Sequence, residues 1–155
     1  VLGIAVGQER PGELHHRLPV VRGARPDAVR AADVGVDGLI VSNHGARQLD
    51  RAPPALDMLP ALDAAVGDRM TLMLDGGIRR GADIVVALAS GAKFVFLGRP
   101  TLYGVIAGGD AGAAKAVQIV RDEINKILAQ IGCPVLRDCG PDFLCRDQEG
   151  RNVRP

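Results

Sequence analysis

The sequence predicts an α/β fold built on a parallel sheet, and three observations carry that expectation. Short apolar runs recur along the chain, at residues 18–21, 38–41, 70–74 and 94–97. Each is closed by glycine or another turn residue, and each is followed by a helix-like segment. Continuous apolar strands are those a parallel sheet buries on both faces, so helices must cover the sheet or surround a closed barrel.

In chain order, residues 1–17 start apolar, turn to glycine, proline and charge, and define no element. Residues 18–21 form the first strand, ending at Arg22 and Gly23. Pro26 then opens a helix through Val34, since its fixed φ suits a first turn and Gly35 suits the stop. The strand at 38–41 leads through a polar loop to a helix over 56–66 ended by Gly67, where Pro60 is tolerable only near the start. Residues 70–74 form the third strand, closed by Asp75-Gly76-Gly77, and 80–89 the next helix, with Gly91 as its cap. Residues 94–97 form the fourth strand, closed by Gly98 and Arg99, and 100–106 a short helix. Val117, Val120, Ile124, Ile127, Leu128 and Ile131 make one stripe of a long amphipathic helix that Gly132 and Pro134 terminate. Beyond Val135 the chain reads as irregular.

The composition is that of one globular core: 155 residues, 47% hydrophobic, 24% charged, net charge +1. Aromatics are only 3% and no basic stripe recurs, which argues against nucleic acid as a partner. No apolar run reaches membrane-spanning length, and Gln8, Glu9 and Arg10 interrupt any secretory pattern, so a cytoplasmic setting is expected. Cys133, Cys139 and Cys145 are an odd set without a C-x-x-C pair and read as plain thiols rather than a metal site or disulfide framework. His15 and His16 read as a solvated loop.

Chemistry in such folds gathers at the carboxyl ends of the strands, where a rigid strand hands over to an open loop. The strand at 38–41 delivers Ser42, Asn43, His44, Gly45 and Arg47 to such an end. An imidazole takes a proton near neutral pH and a guanidinium fork grips a carboxylate, so His44 and Arg47 together suit an acid substrate that loses a proton. The alternative is a capping histidine beside a surface arginine. No G-x-G-x-x-G follows any strand, which removes the usual dinucleotide signature. The last two strands instead end in Asp75-Gly76-Gly77-Ile78-Arg79 and Gly98-Arg99. These match the phosphate site that the final two loops of a (β/α)8 barrel provide, with ordinary tight turns as the alternative. A whole barrel needs eight strands and roughly 250 residues. The expectation is therefore the C-terminal portion of a TIM barrel, about four βα units plus a long C-terminal helix, with residues 18–134 as a half-barrel and 135–155 as a tail.

SNHGARQLD at 42–50, DGGIRRG at 75–81, GRPTLYG at 98–104 and LAQIGCP at 128–134 occur in order. With these motifs, residues 18–144 resemble the FMN-dependent 2-hydroxy-acid oxidoreductases, the group of glycolate oxidase, L-lactate dehydrogenase and (S)-mandelate dehydrogenase. The last block and DFL at 142–144 look closest to mandelate dehydrogenases. The resemblance implies FMN as cofactor, with His44 at the family's proton acceptor and Arg47 at its carboxylate-binding arginine. It places Ser42 at a flavin-contacting serine, Asp75, Gly76, Gly77, Ile78 and Arg79 in the FMN-binding motif, and Gly98 and Arg99 at the phosphate-binding pair. Asp75 is implied either to orient the histidine or to hold flavin hydroxyls.

Arg22 falls where the family carries a lysine that stabilises the reduced flavin; it keeps the charge but not the shape. Ala46 replaces the usual second glycine after the histidine. The family's N-terminal half, with its substrate tyrosine, has no counterpart in these residues. The implied reaction is oxidation of a 2-hydroxy acid of the lactate, glycolate or mandelate class to a 2-oxo acid. The second reading is a non-catalytic half-barrel that binds FMN or another phosphate-bearing ligand and pairs with a second copy. A third is a hydrolase using Ser42, His44 and Asp50, which lacks a nucleophile elbow.

Overall fold

The computed structural model describes residues 24–47 and 49–145. The first expected strand, Arg22, and His15 and His16 lie outside the described residues.

Helix α1 spans Ala24–Asp33 and carries Pro26 in its first turn, as the fixed proline φ requires. Gly35 reverses the chain at φ +82. Strand β1 follows at Gly38–Ser42, helix α2 at Ala55–Val66, strand β2 at Thr71–Asp75, helix α3 at Gly81–Ala89 and strand β3 at Phe94–Phe96. Pro60 sits in the interior of α2, further from the helix start than the sequence suggests, where it removes one backbone donor.

The three strands are parallel in the order β1-β2-β3. Leu39, Val41, Leu72, Leu74 and Val95 point to one face and are buried with Leu59, Leu62 and Val66 of α2 and Ile84, Val85 and Ala87 of α3. Right-handed crossovers that always step to the next strand place their helices on the same side, as in a barrel, and the three described strands show no reversal of order of the kind that marks the centre of a doubly wound sheet.

The opposite face differs from the sequence expectation of strands buried on both sides. Ile40, Phe94 and Phe96 are only half-buried there, and Met73, though buried, stands outside the main core. The edge strands β1 and β3 therefore alternate in burial, while the central strand β2 is buried through Leu72, Met73 and Leu74.

The expected short and long helices after β3 are both present, as the two arms of α4, Arg99–Gln130, separated by a kink at Gly108 (φ −163, ψ 28) and Gly109 (φ 57, ψ −141), where the backbone is not helical. The two arms fold against each other so closely that a Cβ on Gly104 would lie 2.5 Å from the carbonyl oxygen of Gly112. Only glycines permit that approach. On the second arm Val120, Ile124 and Leu128 are buried, while Ile131, the last residue of the expected stripe, lies just past the helix. Beyond it, two 3-10 turns at Leu136–Asp138 and Pro141–Phe143 lead to the end of the described chain, and Leu136, Cys139 and Leu144 pack on the core. No helix among the described residues is long and apolar enough to cross a membrane.

Candidate active site at the carboxyl edge of the sheet

The register pairs Ser42 with Asp75 and Asp75 with Phe96, so the three strand tips stand side by side and their loops share one edge. Ser42 Oγ donates to Asp75 Oδ2 at 2.7 Å, and the same Oγ accepts the backbone N–H of His44 at 3.0 Å. Asp75 thus acts on His44 through Ser42 and reaches its backbone, not its ring. Asn43 Oδ1 accepts from Gly45 N–H at 3.1 Å and limits the space at Gly76, where a Cβ would come within 3.1 Å of it.

These short-range bonds hold three consecutive residues in the left-handed region, His44 at φ +54, Gly45 at +65 and Ala46 at +60. Such a conformation costs a residue with a Cβ about 1 kcal/mol or more, so two of the three positions are strained. The loop presents the exposed His44 ring, whose Nε2 lies 3.1 Å from an Arg47 guanidinium nitrogen. A guanidinium can only donate, so in this contact Nε2 is the acceptor. Ser42 is bound to Asp75 and the histidine amide, which leaves no serine–imidazole pair for the hydrolase reading.

The second corner follows β2. Gly76 and Gly77 both have positive φ, +101 and +81, and turn the chain so that the Ile78 side chain is buried in the core. Ile78 can therefore face a ligand only through its backbone. Asp83 Oδ2 accepts the backbone N–H groups of Arg79 and Arg80 at 2.8 and 2.9 Å. Those two amides are consumed within the loop, so the Arg79 side chain, not its backbone, is what remains for a ligand.

The third corner follows β3. Gly98 lacks a side-chain cap for α4, and Thr101 Oγ1 donates to the Gly98 carbonyl at 2.8 Å. Arg99 then opens the helix. Arg79, Arg99, Pro100 and Tyr103 line a cleft of about 350 Å³. Among the described residues neither guanidinium forms an ion pair. Two unneutralised cations beside an uncapped helix N-terminus make an environment for a dianion such as a phosphate monoester.

The structure thus brings Ser42, His44, Arg47 and Asp75 together at one tip, and Arg79 and Arg99 at the neighbouring cleft beside Gly76, Gly77 and Gly98. Two contributors escape the sequence reading. Tyr103 stands in the GRPTLYG motif, and Asp83 follows Arg80 at the spacing of a helix-start carboxylate. Cys133 and Cys139 are buried, Cys145 is exposed, and none is in a disulfide. Burial, with smaller contributions from the neighbouring Cys133 thiol, raises the Cys139 pKa above the ordinary thiol value. No cluster among the described residues could hold a metal ion.

The chain is similar to several known proteins. L-lactate oxidase from Nostoc sp. is 48% identical over 118 residues, which cover 76% of this chain and 32% of that protein. The peroxisomal (S)-2-hydroxyacid oxidase of Arabidopsis thaliana is 45% identical over 125 residues, covering 79% and 34%. The structure of a soluble mutant of the membrane-associated (S)-mandelate dehydrogenase from Pseudomonas putida superimposes with a TM-score of 0.73 at 44% identity, over 77% of this chain and 34% of that one. The chain spans about a third of the length of the relatives it matches. The FMN-dependent dehydrogenase family matches residues 23–146, and the chain belongs to that family.

Proposed function

We propose that this chain supplies the C-terminal half-barrel, residues 18–134 with a tail at 135–155, of an enzyme that oxidises a 2-hydroxy acid to a 2-oxo acid with FMN. The observation that carries the proposal is the meeting of Arg79 and Arg99, both without an acidic partner among the described residues, at a single cleft next to the His44 tip. The helix-free face of the sheet, with Ile40, Met73, Phe94 and Phe96, supports the half-barrel, since a barrel interior is apolar on that side.

When bound, FMN would supply the acceptor for the two electrons and the C2 hydrogen that the substrate gives up, the hydroxyl proton going to the protein. Arg79 and Arg99 would neutralise its phosphate, with Gly76, Gly77, Ile78 and Gly98 shaping the backbone around it. Ser42 and Asp75 would face the flavin from the tips of β1 and β2, and Arg22, outside the described residues, would offset charge on the reduced ring. Arg47 would clamp the substrate carboxylate. Since Arg47 now donates to His44 Nε2, an arriving carboxylate would draw the guanidinium away and free that lone pair. His44 would then take the proton of the substrate hydroxyl on Nε2.

Lactate, glycolate and mandelate are the candidate substrates, in keeping with the names of the relatives. A cytoplasmic setting is part of the proposal; the relatives include peroxisomal and membrane-associated proteins, so cell fractionation is its measurement.

The test is a chimera in which residues 23–146 replace the matched part of the Nostoc L-lactate oxidase. Flavin absorbance that bleaches anaerobically on adding one of the three acids is expected. His44→Asn should lower the reduction rate by about 10²–10⁴ while FMN stays bound. A yellow chimera that none of the acids bleaches would favour the non-catalytic, phosphate-binding reading.

A further inference from the structure

The adjacent arginines of the second corner have different fates. Arg79 lines the cleft, whereas Arg80 meets Glu123 of the second arm of α4, Nη1 to Oε1 at 3.3 Å. The other oxygen of that carboxylate accepts the backbone N–H of Gly81, the first residue of α3, at 2.7 Å. The Glu123 side chain is 27% exposed, so its bonds are partly shielded from water. The contact is also sterically specific: a Cβ on Gly81 would lie 2.6 Å from both Glu123 Cβ and the backbone nitrogen of Ile124. Asp83 clamps the same corner from inside α3. Helix α4 therefore supplies Arg99 at its start and, after folding back at Gly108 and Gly109, a carboxylate that fixes the corner bearing Arg79.

Resting on the phosphate assignment above, we propose that Glu123 is a positioning residue for the anion cleft. By engaging Arg80 and tying the start of α3 to α4, it leaves Arg79 to face the ligand opposite Arg99. Without it Arg80 is released, the corner loosens, and the cleft loses selectivity for a phosphate monoester.

The test compares FMN with riboflavin, which lacks the phosphate, by flavin fluorescence titration of the full 155-residue chain. The readout is the ratio of the two dissociation constants, which a general loss of stability would not change. The wild-type chain should favour FMN by about tenfold or more. Glu123→Ala should bring the ratio close to one, and Glu123→Gln, which keeps an acceptor for Gly81 but not the charge facing Arg80, should fall between. A wild-type ratio in Glu123→Ala would overturn the positioning role and leave the phosphate assignment standing. Should that variant not fold, a wild-type ratio in Glu123→Gln overturns the positioning role in its place. Equal affinities in the wild-type chain would overturn the phosphate assignment and this inference with it.

Discussion

At the residue scale, the tip of β1 is governed by backbone conformation as much as by side-chain chemistry. Ala46 at φ +60 occupies a conformation that glycine adopts freely, in a loop already strained at His44. Ala46→Gly should therefore stabilise the chain by about 0.5–1 kcal/mol in urea unfolding, despite glycine's larger conformational entropy when unfolded. A loss of stability would show that the left-handed loop is not the conformation held in solution. The identities of His44, Arg47, Arg79 and Arg99 were legible in the sequence because each follows an apolar run at the spacing of a strand tip. Their bonding was not: nothing in the order of residues says that Asp75 reaches His44 through Ser42, or that Arg47 rests on the imidazole. Glu123 carried no signal at all, since its partners stand 42 and 43 residues away and meet it only once α4 has folded back.

At the element scale, the strand and helix positions follow closely from apolar runs and their glycine stops. What the runs could not convey is how deeply each face is buried. Leu74 is fully buried against the helices, whereas Phe96, the neighbour of Leu74's ladder partner Val95, is half-exposed on the open face. Leu74→Ala should cost about 2–5 kcal/mol of unfolding free energy in this chain, from lost transfer energy and the cavity left behind. Phe96→Ser should cost under about 1 kcal/mol. Equal costs would mean that the second face is covered in solution, as pairing of two copies would do. The two helices after β3 were legible, but their approach was hidden: nothing in the order of residues says that the chain kinks at Gly108 and Gly109 so that the arms meet at Gly104 and Gly112.

At the scale of the whole molecule, a parallel sheet that steps in one direction, with helices on one side, places every strand tip on one edge. That edge gathers the His44 imidazole, the Arg47 guanidinium beside it, and two further cations, Arg79 and Arg99, without acidic partners among the described residues. Fold class and site were legible because both reside in local patterns repeated along the chain. The extent of the sheet was not: the described residues hold three of the four expected strands, and the first lies outside them. The phosphate cleft is tested most directly by the affinity of the chain for FMN and riboflavin before and after the paired substitution Arg79→Gln and Arg99→Gln. An FMN preference of about tenfold or more should disappear in the double variant, with riboflavin binding unchanged. An FMN preference that survives the loss of both guanidiniums would contradict the assignment of this cleft to the flavin phosphate.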